Sequence, residues 1–344
     1  MGKNKVQIGG RIIGLDLLRS FAIFSVIAGH FFSLHTQYNT VVFEGLSMYL
    51  QGMVSMFFYT MGVPVFIMLT GYLNKNKVLN KGYYRSCIRV LASYLFFSVI
   101  TLLFRKYYLH EDLSWMQWGL KILDFSAIPY AWYIEMWIGL YLLTPFLNLM
   151  YKAIPTQKQK LVLLASLYVM TAFPDLLNRY GLHLVPGFWA QVFPLTFYFI
   201  GSYISEYKPS FESWKLGLFI VGLLMVTPTM NAVLFSQHDY VQIVGGPWGV
   251  LGSWVAVAGF LLLYKWNTQN SIICSALSKI SLLSLDMYLC CYIMDRLVYP
   301  YFMEHYFVNQ SQFGKWFFVI VPILFAGSFA IAWVKDKVWK LCKL

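Results

Sequence analysis

The segment RIIGLDLLRSFAIFSVIAGHFF, Arg11 to Phe32, places three ionisable side chains, Asp16, Arg19 and His30, inside an otherwise apolar run. About 20 such residues, each rising ~1.5 Å along a helix, are needed to cross the hydrocarbon of a bilayer. The run is too long and too charged for the core of a secretory leader, so it reads as an uncleaved first span. A charge at that depth costs on the order of 3 kcal/mol and is kept where it faces the protein interior. At ~100° per residue, Arg19 and His30 lie roughly 20° apart around the helix, and Asp16 lies roughly 40° from His30. All three share one stripe. Counted from Ile12, Arg19 is about 10 Å from the near edge of the membrane and His30 about 27 Å, close to the far edge.

The rest of the chain repeats this apolar texture. Hydrophobic residues make up 59% and charged residues 12% of 344, a composition that excludes an ordinary water-soluble surface. Apolar runs fall near 12–34, 48–73, 88–109, 130–150, 161–177, 187–205, 216–235, 248–265, 281–300 and 315–334. The expectation is an all-α polytopic bundle of about ten spans, with the fifth weakened by Pro174 and Asp175. Residues 1–344 form one integral membrane domain with no separate soluble domain, and the longest polar connection runs from Arg105 to Pro129.

The net charge of +12 does not mark a nucleic-acid binder, because the cations sit in short loops between apolar runs. With the N-terminus inside, 19 of the 26 lysines and arginines fall on the cytoplasmic side, six on the other, and Arg19 within the first span. That asymmetry predicts cytoplasmic termini. The five cysteines lack the spacing of a zinc site or a disulfide framework, and no metal is expected.

An arginine, ten residues and a histidine, preceded by LDLLR, resembles the first helix of the acyltransferase-3 family of membrane-bound O-acyltransferases. GVPVFIMLTGYL (Gly62 to Leu73) is similar to that family's second-helix segment, and YRSCIRVLASYL (Tyr84 to Leu95) to the basic start of its third. AWYIEMWIGLYLLTPFL (Ala131 to Leu147), FYFIGSYIS (Phe197 to Ser205) and SLDMYLCCY (Ser284 to Tyr292) continue the likeness in order. Three positions depart from it: Thr70 for serine, Asp286 for glycine and Cys291 for histidine. No family role is carried onto those three. The resemblance implies a bacterial cytoplasmic-membrane enzyme of the kind that O-acetylates surface polysaccharide during exopolysaccharide biosynthesis. It would take acetyl-CoA or another acyl-CoA as donor and a glycan or lipid-linked sugar as acceptor.

Acyl transfer to a hydroxyl requires removal of the hydroxyl proton, and histidine matches that task near neutral pH. His30 is the expected general base; an acyl-histidine relay is the less economical alternative. His35 is expected to be solvated. Glu135 and Asp16 are the expected acidic residues, Glu135 as a buried carboxylate near the depth of His30 and Asp16 as an i,i+3 neighbour of Arg19. Asp286, Asp295 and Arg296 are further charged groups within a span. Arg19, Arg85 and Arg89 are the expected donor-binding residues, the last two spaced to share a helix face inside a basic loop. The rival from another class is a flippase or exporter of lipid-linked sugars, which would show paired halves with broken helices. No pairing of halves is visible in the sequence.

Overall fold

The structure, a computed structural model, describes residues 12–80, 82–178, 183–234 and 246–342. Lys3, Lys5, Arg11, Lys81, Arg179 and Lys343, counted above for topology, lie outside these residues. The described residues are 80% helical, an all-α membrane bundle. Its helices are α1 (Ile13–Ser33), α2 (Gly45–Met61), α3 (Val63–Asn74), α4 (Cys87–Tyr107), α5 (Trp115–Leu123), α6 (Trp132–Ala153) and α7 (Gln157–Leu177). There follow α8 (Phe193–Tyr207), α9 (Ser213–Leu234), α10 (Val250–Leu263), α11 (Ser271–Tyr306), α12 (Gln310–Phe313) and α13 (Phe317–Leu341).

Every expected apolar run is helical. Seven helical stretches among the described residues are long and apolar enough to cross a membrane. The other three runs correspond to α6, α8 and α10, of which α8 and α10 have only 15 and 14 residues. The second run is not one helix: α2 ends at Met61 and α3 restarts with Pro64 in its first turn. Proline has no N–H to donate and is best tolerated there. The fifth run is whole, since α7 carries Pro174 and Asp175 within its last turn. Proline deprives the backbone of one hydrogen bond, a loss that membrane helices absorb.

The chain divides into two compact units. The first comprises Met1–Lys75, Ile154–Leu282 and Tyr306–Phe318, and the second Asn76–Ala153, Leu283–His305 and Val319–Leu344. In the first, α3 and α8 approach so closely that a Cβ on Gly71 would strike the Tyr198 carbonyl and one on Gly201 the Met68 carbonyl. The Ser202 hydroxyl donates to the Gly71 carbonyl at 3.2 Å across the same crossing. Small residues let membrane helices gain contact where no hydrophobic force between them exists. A second cluster joins α2, α9 and α10 through Met56, Leu216, Ile220, Leu224, Val255 and Ala258.

In the second unit the ring of Tyr83 stacks on Tyr141 at 4.6 Å, and each hydroxyl donates to the other residue's carbonyl, at 2.7 and 2.9 Å. Two lysines assigned above to loops are buried in helices. Lys160 pairs with Glu206 at 2.8 Å in the first unit. Lys335 pairs with Asp286 at 2.9 Å in the second, because α13 runs past Lys335 to Leu341. The connection 105–129 is not simply polar either, since it contains α5.

Candidate functional site

Of the residues singled out in the sequence, Asp16, Arg19 and His30 all lie on α1 in the first unit, with Asp16 buried and the other two half-buried. Arg19 donates from Nη1 to the Ser281 hydroxyl at 3.3 Å, and Ser20 donates to the Leu277 carbonyl at 3.2 Å. The N-terminal half of the stripe is thus stitched to the first third of α11. Ser281 had no signal in the sequence, being one serine in a serine-rich run 262 positions from Arg19.

His30 occupies the last turn of α1. Its foundation is rigid. Phe31 stacks on Phe313 at 5.8 Å and meets Phe317 edge-on at 5.5 Å, while Phe32 stacks on Phe317 at 5.4 Å. Just beyond, Gln310 Nε2 donates to Gln51 Oε1 at 2.9 Å, and Gln310 Oε1 accepts from the Gln37 N–H at 3.0 Å. The last turn of α1 thus rests on packed aromatic rings beside a satisfied amide pair. His35, expected in solvent, is instead half-buried with its ring 6.5 Å from that of His30.

In the second unit the segment before α4 is fastened to α6. Beside the Tyr83–Tyr141 exchange, the Tyr84 hydroxyl donates to the Leu142 carbonyl at 3.4 Å, Ser86 hydrogen-bonds the Tyr141 hydroxyl, and Asn148 Nδ2 donates to the Lys77 carbonyl at 2.8 Å. Arg85 sits in a short 3-10 turn, Tyr84–Ser86, and Arg89 in the first turn of α4; both are exposed. A hydrogen-bonded backbone with two exposed guanidinium groups suits an anionic ligand.

Glu135 departs from expectation. It lies in the first turn of α6, where a negative charge meets the helix dipole favourably, but its side chain is exposed, not buried. Depth in a membrane is not coverage by protein. The segment leading into it is pinned: Arg105 donates to the Ser126 and Ala127 carbonyls at 3.1 and 3.2 Å and pairs with Glu111 at 2.7 Å. Hydrogen bonds from Ser126 hold the Asp124 carboxyl below its ordinary range. The Tyr288 hydroxyl donates to the Tyr130 carbonyl. The Tyr130 hydroxyl in turn donates to Asp295 at 2.9 Å, so this fully buried carboxylate has a partner that the sequence did not announce. Asp286 is likewise explained, by Lys335 and by the Ser93 hydroxyl that accepts from the same ammonium at 2.8 Å.

A sequence profile of the acyltransferase-3 family, described as an acyltransferase domain, matches residues 12–336. No curated protein and no solved structure matches the chain. The matched region holds the whole α1 stripe, the basic start of α4 and the first turn of α6, and extends over nearly the entire length: the chain belongs to the acyltransferase-3 family.

Proposed function

We propose that this multi-pass membrane acyltransferase moves an acyl group, acetyl in the first instance, from cytosolic acyl-CoA to a hydroxyl of a cell-surface or lipid-linked glycan. The single observation that carries the reading is the α1 stripe, a guanidinium and an imidazole on one helix face separated by about 16 Å of rise. In this reading the exposed Arg85 and Arg89 supply positive charge for the CoA phosphates, and Arg19 is the further cation assigned to the donor. The enzyme sits in the bacterial cytoplasmic membrane with its termini inside, in keeping with the loop charges.

His30 takes the proton of the acceptor hydroxyl as its oxygen attacks the thioester carbonyl. A C–O bond forms, the C–S bond breaks, and the proton passes to the departing thiolate, which leaves as CoA thiol. Asp16 on the same stripe and Glu135 are the acidic supports of this scheme. Purified protein in liposomes, given acetyl-CoA with a labelled acetyl group and an extracted surface glycan, should label the glycan and release thiol in equal amounts. Folded protein that transfers no acyl group from any acyl-CoA would overturn the reading.

A further inference from the structure

Helix α5 carries apolar residues on two faces, and the protein covers only one of them. Trp118 is buried, and with Ile122 it packs on Leu102, Leu113 and Ala127. Around the helix from that face, Trp115, Met116, Leu120 and Leu123 are 75%, 77%, 53% and 77% exposed. At ~100° per residue these four fall within an arc of about 140°, while Gln117 and Lys121 occupy the remaining side. The start of the helix is fixed by a capping box, with the Ser114 hydroxyl accepting from the Gln117 N–H and the Gln117 side chain accepting from the Ser114 N–H.

The position of α5 follows from its attachments. It lies between α4, which ends at Tyr107, and α6, which begins at Trp132. Arg105, one turn before the residues that follow α4, grips the Ser126–Ala127 backbone just beyond α5. The Tyr94 hydroxyl donates to the Ile122 carbonyl of α5 at 2.7 Å. The helix is therefore held against α4 between Tyr94, near the middle of that span, and Arg105, in its last turn. On α4, Leu95, Val99, Ile100 and Leu103 are also exposed, as are Tyr107 and Tyr108 at its end. Lys106 lies 5.2 Å over the Trp115 ring and 5.9 Å over that of Tyr107, so a cation flanks the aromatic edge.

We propose that α5 is an interfacial helix that beds Trp115, Met116, Leu120 and Leu123 into the headgroup–acyl boundary of the bilayer, with Lys106 and Lys121 set against lipid phosphates. Apolar residues on one face, tryptophan at the edge and lysines beside it are what such a boundary selects. The partner is the lipid surface, because α5 is held against α4, a helix long and apolar enough to cross a membrane, and the Lys106 cation flanks its exposed aromatic edge. The inference is independent of the acyl-transfer reading.

The test is site-directed spin labelling of the full-length protein in liposomes of phosphatidylethanolamine and phosphatidylglycerol. Nitroxides are placed singly at Leu120→Cys and Leu123→Cys in a Cys342→Ser background, with Gln117→Cys as the polar-side reference. Collision with oxygen should exceed collision with a water-soluble nickel chelate several-fold at 120 and 123 relative to 117. Equal access of the chelate at all three positions would put the face in water and overturn the proposal. Protection of 120 and 123 from both colliders would place another protein surface there and overturn it equally. Retained size-exclusion profiles exclude misfolding as the source of either result.

Discussion

The ammonium of Lys335 lies 2.9 Å from both carboxylate oxygens of Asp286 and 2.8 Å from the Ser93 hydroxyl, with the Trp339 ring centre 3.6 Å away. All the donors of this lysine are used inside one unit, among α4, α11 and α13. A buried pair of this kind is costly to break from one side, because the surviving charge is left without a counter-ion.

Lys335→Met should therefore lower stability by about 3 to 5 kcal/mol, and Asp286→Leu by a similar amount. The double variant Lys335→Met/Asp286→Leu should recover most of that loss, since an apolar pair of similar volume replaces two desolvated charges. Thermal unfolding in detergent checks this. A double variant as unstable as the sum of the two singles would show that the pair is not coupled.

The crossing of α3 and α8 gives a second expectation. Gly71→Ala and Gly201→Ala must each push a backbone carbonyl aside, which should cost about 1 to 3 kcal/mol. Ser202→Ala removes only the hydroxyl shared with the Gly71 carbonyl and should cost about 1 kcal/mol. Equal melting temperatures for Gly71→Ala and wild type would mean that the helices are not in close contact there.

Much of the fold was legible because hydropathy dominates in a chain of this composition, and every apolar run is helical, the second as two helices. What escaped notice depended on partners far away in sequence or on short elements. Lys335 looked like a loop cation because Lys337, Lys340 and Lys343 follow it, whereas its acid lies 49 positions earlier. The nine residues of α5 are too few to register as a span and are flanked by charge. The break at Gly62 was hidden because residues on both sides are equally apolar. In the candidate site, the α1 stripe followed from helical geometry alone. The exposure of Glu135 did not, because it depends on which residues neighbouring elements bring to that turn.

The donor site yields a third expectation. Arg85 and Arg89 are exposed on a backbone that Tyr83, Tyr84 and Ser86 fasten to α6, so replacing both with Gln should leave the fold intact. Binding of acyl-CoA should weaken by about 1.5 to 3 kcal/mol for each charged hydrogen bond lost. Isothermal titration calorimetry measures it, and unchanged affinity would assign the two arginines to membrane topology alone.

The central claim is that His30 performs the chemistry, and the most direct measurement is the rate of acyl transfer by His30→Ala in liposomes. The variant should fold, since the aromatic support beneath residue 30 is untouched, and it should still bind acyl-CoA. Transfer should fall by about 10²-fold or more, the usual contribution of a positioned base, while His35→Ala should stay near the wild-type rate. A folded His30→Ala protein that transfers within about threefold of the wild-type rate would contradict the account and leave the imidazole a structural role.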